Sequence, residues 1–402
     1  MASRGALAGV AGLIAMVSVG TVARNASFPI ALGYVAVMAI LVVGVLPWLA
    51  QRWASAESRI CWVTFAVVSA ALSVAFLISY DPTHLSSLGY GADRADALNV
   101  ALTRLADGAY PYTARTYMGT EITPLPGALL IAAPFWAIGN AAYQNLVWVP
   151  GLLLVLAHGA RRLRVVPVLL WCAVVLGSAV TVQEFLVGDD LFVNGVYVAG
   201  AACLVVAAAR RWGWWALVAC SMLLGITLCS RPHIIVLLVP ITALVWREAS
   251  AARGMVVAGV SALTTAALIL PFALADWAGF SPLHVASKVT DSTRITPGLV
   301  VLAVLALAIV AGALWWWRPR EVATAWLCAW LLAAPGALAF LHVARATGEL
   351  DLWQLSLASP ALVFGALAVG LSGRLGQPDV GVDGYARGAS VEPTSGAESA
   401  SR

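Results

Sequence analysis

The chain has 402 residues, of which 61% are hydrophobic and 10% charged, with a formal net charge of +4. A soluble domain carries about 25% charged residues, so no water-facing exterior can be built from this composition. What remains is a protein whose solvent is largely lipid, and no nucleic-acid partner is expected.

The apolar residues fall into continuous runs. About 20 residues of helix cross a hydrocarbon core, where only helices and closed barrels satisfy their own backbone groups. Continuous rather than alternating runs exclude a barrel. The expected fold is therefore an all-α polytopic membrane protein. Thirteen apolar segments are predicted, at 6–23, 28–49, 60–79, 124–139, 142–158, 165–182, 191–209, 213–229, 233–246, 254–274, 298–317, 322–343 and 353–371. Arg4 precedes the first, which is expected to stay as an uncleaved anchor. Trp48, Trp53, Trp136, Trp212, Trp246, Trp277, Trp315, Trp316, Trp317 and Trp353 fall near segment ends, where indoles favour the headgroup layer. All six cysteines lie inside apolar segments without CxxC spacing. They are expected to be buried thiols, and neither a metal nor a cofactor is predicted.

Cytoplasmic loops collect Lys and Arg. Arg4, then Arg52 with Arg59, place the first and second inside positions, so that loop 80–121 faces out. Arg161, Arg162 and Arg164, then Arg210 and Arg211, then Arg247 and Arg253, then Arg318 and Arg320 mark further inside loops. This bookkeeping needs an odd number of crossings between residues 121 and 161. Pro124, Pro126 and Pro134 are expected to shorten or re-enter segment 124–139, so that it and 142–158 count once. About twelve crossings result, with both termini inside and the protein in the plasma membrane. Two true crossings would instead put four arginine clusters on the wrong face. Under the first scheme loop 80–121 and the stretches 183–190, 230–233, 276–297 and 344–352 share the outer compartment. Residues 1–371 would form the bundle. Residues 372–402, polar and without apolar period, read as a disordered cytoplasmic tail. No internal repeat is visible, nor an inverted pair of broken helices.

Loop 80–121 is long for such a protein, and long ordered loops are usually functional. Residues 93–107 within it have an amphipathic period, with Leu98, Leu102 and Leu105 on one face beside Ala95 and Ala101. Asp93, Asp96, Thr103, Arg104 and Asp107 gather opposite, and Gly108 ends the helix. Its leucines are expected to lie in the headgroup layer. Asp93 and Asp96 suit helix capping or a general base at a membrane-surface site, and the two roles are compatible. Glu184, Asp189 and Asp190 stand at an apolar boundary where charge is costly, which favours function for one of them. Tyr110, Tyr112 and Tyr117 would form a ligand-stacking wall or an interfacial belt.

An outer-loop aspartate, the amphipathic helix, the Gly108-Ala-Tyr110-Pro111-Tyr112 stretch and the run Ile122-Thr-Pro124-Leu-Pro126-Gly resemble the GT-C glycosyltransferases. The nearest likeness is to the polyprenyl-phosphate-mannose-dependent branch, glycosyltransferase family 87. VGDDLFVN at 187–194 and LGITLCSRPH at 224–233 fit the same pattern. The likeness covers roughly residues 60–250. It departs where family members often place an aromatic residue after the loop aspartate; here Asp93 is followed by Arg94, Ala95 and Asp96. The base is thus left open between Asp93 and Asp96. The resemblance implies transfer of mannose or another sugar from a polyprenyl-monophosphate donor to a lipid-linked or glycan acceptor on the outer face, with inversion. It implies no metal. Arg231, His233, Lys288, Arg294 and Arg345 are then the candidates for the donor phosphate; Arg231 has snorkelling to headgroups as its alternative, and Arg345 a surface pair with Glu349 or Asp351. A transporter or flippase for a lipid-linked or small polar substrate, and a non-catalytic scaffold, are the competing readings.

Overall fold

The computed structural model describes residues 3–53, 58–80, 93–159, 165–284 and 319–372, with 313, 316 and 317. Most of the predicted span 298–317, the tail beyond 372, Lys288, Arg294 and the arginines at 161, 162, 164 and 318 lie outside the described residues.

Fourteen α-helices are named among the described residues, with short 3-10 turns between some of them. The first three are α1 (Arg4–Asn25), α2 (Phe28–Arg52) and α3 (Ser58–Ser79), the second continuous through a π-helical stretch at Ile40–Val45. Then come α4 (Arg94–Ala106), α5 (Pro126–Ala137), α6 (Asn145–Gly159), α7 (Val165–Val175) and α8 (Ala179–Leu186). The remainder are α9 (Leu191–Arg211), α10 (Trp214–Leu228), α11 (Leu238–Glu248), α12 (Ala251–Ala275), α13 (Glu321–Thr347) and α14 (Ala361–Ser372). Serines start several of them: Ser3, Ser27, Ser178 and Ser250 each accept from a first-turn backbone N–H, the favoured capping chemistry. Gly348, at φ 73°, closes α13.

Seven of these elements are long and apolar enough to cross a membrane, or nine if two bent pairs each count as one span. The bent pairs are α7 with α8, at 74°, and the 3-10 turn Leu352–Ala358 with α14, at 54°. This is the build of a multi-pass helical membrane protein, and no strand occurs among the described residues. Burial sorts the helices. In α9, 72% of the most apolar window is buried, against 11% in α3, so α9 is central while α3 presents Trp62, Val67 and Ile78 outward.

The two ends of the bundle differ. At one, Arg210 pairs with Glu248 at 2.7 Å and Glu321 at 2.5 Å, and Arg253 lies over the Trp214 ring. At the other, α4, α5 and the connecting segments assemble around the turn between α8 and α9. Helix α5 has both of its ends there. Leu125 N–H donates to the Ser230 carbonyl at 3.0 Å before it begins. Asn140 Oδ1, just after it ends, accepts from Asn99 Nδ2 at 2.9 Å and from the Tyr80 hydroxyl at 3.2 Å. Its 12 residues make about 18 Å of helix, well short of a hydrocarbon core. Gly127 permits the close approach: a Cβ there would collide with the backbone carbonyls of Ile226 and Cys229.

A separate small core lies at this end. Leu98 and Leu102 of α4 pack with Ile122, Leu125, Leu129 and Phe280, and Leu98 is wholly buried. The expectation that these leucines sit in the headgroup layer is therefore corrected: they meet protein. A helix with this apolar face buries it on whatever apolar surface is nearest, and α5 supplies one.

Candidate functional site

The first turn of α4 carries three charged residues with separate tasks. Asp93 precedes the helix, but its carboxylate caps no backbone N–H. It accepts instead from the hydroxyls of Thr116, at 2.9 Å, and Thr120. Asp96 accepts from the Tyr117 backbone N–H at 2.8 Å. Both carboxylates therefore hold the 115–121 turn, which is closed by a lone bridge between Arg115 and Glu121. Both residues are half-buried rather than directed into open solvent.

Arg94, between them, turns the other way. Its guanidinium pairs with Asp189 and lies 4.0 Å from Glu184. Asp189 and Asp190 occupy the turn joining α8 to α9, and Gly188, at φ 75°, lets the chain make that turn. Asp190 in turn pairs with Arg231, which also donates to Thr123 Oγ1 at 2.9 Å. Arg231, Asp189, Asp190 and Glu184 are all buried. Isolated charges at such burial would be untenable, and pairing is what permits them. Burial pushes the Asp189 carboxyl above its ordinary range, against the pull of the adjacent Arg94 guanidinium.

Glu184 extends the network across the bundle. It accepts from the Phe192 backbone N–H at 2.8 Å and from the Ser359 hydroxyl at 2.8 Å, so the bend before α14 meets the end of α8. Asn145, heading α6, donates to the backbone carbonyls of Asp189 at 3.0 Å and Glu184 at 3.3 Å. Within this cluster Asp190 Oδ2, Arg231 Nε, Asn194 Nδ2 and His233 Nε2 have no partner among the described residues. Buried polar atoms are nearly always paired in proteins, so a concentration of exceptions in one place marks where a polar ligand would be accommodated. No group of three or more metal-ligating side chains occurs among the described residues.

The sequence-predicted residues thus separate. Asp93, Asp96, Glu184, Asp189, Asp190, Arg231 and His233 come together at one end of the bundle. Arg345 does not join them: it is exposed in the last turn of α13 and pairs with neither Glu349 nor Asp351 among the described residues. Lys288 and Arg294 fall outside the described residues. Of the tyrosines, Tyr117 is exposed beside Asp96. Tyr110 is half-buried, its hydroxyl donating to the Phe272 carbonyl at 2.9 Å. Tyr112 is a correction, since it is 3% exposed and stacks edge-on against Phe272 and Phe280. It is a core side chain, not part of an open sugar-binding wall.

Several residues here were not singled out from sequence: Arg94, Thr116, Thr120, Thr123, Asn145, Asn194 and Ser359. A signal existed for Arg94, which shares the stripe of Leu98, Ala101 and Leu105 and so faces inward with them. Two bent segments, which the continuous apolar runs did not signal, meet at Glu184 and Ser359.

No family model matches the chain, and neither curated proteins nor solved structures yield a match. The likeness to the GT-C enzymes rests on the quoted residues alone.

Proposed function

We propose that the protein is an integral-membrane glycosyltransferase of the GT-C kind, moving a sugar from a polyprenyl-monophosphate donor to a lipid-linked or glycan acceptor on the outer face of the plasma membrane. Asp93 or Asp96 takes the proton of the acceptor hydroxyl as that oxygen bonds the anomeric carbon. The bond from that carbon to the phosphate oxygen breaks, and configuration inverts. Arg231, with Asn194 and His233 beside it, receives the departing phosphate. The reading takes the chain as crossing about twelve times, with α5 dipping back to the side it came from.

One observation carries the reading. The candidate base and the candidate phosphate-binding arginine belong to a single connected array. Asp93 adjoins Arg94, Arg94 pairs with Asp189, and Asp189 adjoins Asp190, which pairs with Arg231. Arg231 retains a buried unpaired Nε–H, the kind of donor that stabilises charge building on a leaving group. The test is transfer of labelled sugar from a polyprenyl-phosphate donor in membranes containing the protein, with Asp93→Asn and Asp96→Asn compared separately. Full activity in both variants overturns the base assignment.

A second reading is favoured by a specific feature. Bent spans meeting at buried charges are the build of a substrate site in many transporters, and α7 with α8 and the Leu352–Ala358 turn with α14 meet at the Glu184–Ser359 contact. Under this reading the chain moves a lipid-linked or small polar molecule across the bilayer. Failure of every polyprenyl-phosphate donor, with substrate translocated by proteoliposomes, would establish it in place of the first.

A further inference from the structure

At the end of the bundle opposite the acidic cluster, α6, α9, α11, α13 and α14 enclose a cavity of about 460 Å³. Its wall is mainly apolar, with Ile241, Leu244, Ala325 and Phe364 among the lining side chains. Ligand pockets commonly span about 300–1,000 Å³ with a few placed polar groups on an apolar lining, and the polar groups here are unequal. Arg210 is neutralised by Glu248 and Glu321. Arg211, the next residue along α9, also lines the cavity, is exposed, and forms no ion pair among the described residues. Deeper in the wall, Thr324 is 3% exposed and its hydroxyl has no partner among the described residues.

An unpaired cation and a lone buried hydroxyl on an apolar chamber fit an amphipathic anion. A small hydrophilic solute would leave most of the wall unmatched. The arginine-bearing ends of membrane helices face the cytoplasm, and basic pockets between helices on that side bind anionic headgroups. We propose that this cavity seats one acyl chain of an anionic glycerophospholipid from the cytoplasmic leaflet, with its phosphate on Arg211 and the Thr324 hydroxyl donating to an ester carbonyl. The site is independent of the chemistry assigned to the other end of the molecule.

Native mass spectrometry of the purified full-length protein tests it, using phosphatidylglycerol and phosphatidylcholine with identical chains. Wild-type protein retains phosphatidylglycerol preferentially. Arg211→Gln weakens that retention about fivefold, as expected for one basic residue near an anionic headgroup, and Arg211→Lys restores much of it. Ala325→Leu, which narrows the chamber, lowers retention, while Arg59→Gln on α3 leaves it unchanged. Inorganic phosphate does not displace the lipid. Equal retention of the two lipids, no effect of Arg211→Gln, or displacement by inorganic phosphate overturns the proposal. Should Ala325→Leu fail to fold, the Arg211 pair of variants decides alone.

Discussion

Arg94 opens helix α4 and pairs with Asp189 in the turn between α8 and α9, so the segment that carries Asp93 and Asp96 is locked to the buried frame. The pair differs from a surface ion pair in its setting, because the Asp189 side chain is only 5% exposed and Glu184 is its neighbour. It fixes where Asp93 and Asp96 stand relative to the rest of the cluster.

Arg94→Gln leaves Asp189 and Glu184 without their shared cation. Removing one member of a buried pair costs about 3 kcal/mol or more, and a large drop in thermal stability in detergent is expected. Asp189→Asn is expected to cost less, since Glu184 remains for Arg94. The double variant should regain a substantial part of the Arg94→Gln loss, as contacting residues couple. Simple additivity of the two losses would show that the pair is not what holds α4.

Asp93→Asn and Asp96→Asn separate chemistry from support. An asparagine Oδ1 still accepts from Thr116, Thr120 or the Tyr117 N–H, so the 115–121 turn is expected to persist and the melting temperature to stay near wild type. Loss of a general base lowers turnover by about a hundred- to ten-thousandfold, and one of the two variants should show it. Thr116→Val with Thr120→Val then distinguishes them. It removes both hydroxyl donors of the Asp93 carboxylate. The Tyr117 N–H that Asp96 accepts remains, as does the bond from the Thr116 N–H to the Thr120 carbonyl that closes the turn. A fall in turnover with unchanged substrate KM and melting temperature therefore identifies Asp93. An unaffected rate points to Asp96.

Arg231 contacts Asp190 and Thr123 through different nitrogens, a forked geometry that a lysine ammonium cannot reproduce. Arg231→Lys keeps the charge facing Asp190 but gives up the second contact and the Nε–H. Sugar transfer is expected to fall at least about tenfold in Arg231→Lys and further in Arg231→Gln, as for lost donors at a developing oxyanion. A lysine variant with wild-type turnover would remove Arg231 from the phosphate site.

The helical bundle was legible because lipid imposes a length and an apolarity on every span, and α1, α2, α3, α9, α12 and α13 follow those rules. The bends were not. The 74° break between α7 and α8 falls at Gly177 and Ser178 inside an otherwise continuous apolar run, and hydropathy averages over it. Glu184, Asp189, Asp190 and Arg231 were visible as charges out of place, since burial of charge demands partners. Which partner each takes was hidden, because Arg94 with Asp189 and Arg231 with Asp190 are separated by 95 and 41 residues. Tyr112 was misassigned for a related reason: tyrosine suits both a wet wall and an apolar core, and only Phe272 and Phe280 packed around it decide.

The course of α5 gives a labelling prediction independent of any activity. Leu125 before it and Asn140 after it contact the same end of the bundle, so the chain is expected to return to the side of the membrane it left. Thr113 is exposed before the helix and Ile138 is 72% exposed after it, while Trp212 is exposed at the arginine-bearing end. In a cysteine-free background, single cysteines at 113 and 138 are expected to react with a membrane-impermeant maleimide from one face of sealed vesicles, and a cysteine at 212 from the other. The native cysteines all lie in apolar segments, and replacing them with alanine or valine removes no disulfide, since all six are free. Labelling of positions 113 and 138 from opposite faces would make α5 a true span. That result would contradict the packing in which Arg94 beside Asp93 pairs with Asp189 and Asp190 pairs with Arg231, all at one end of the bundle.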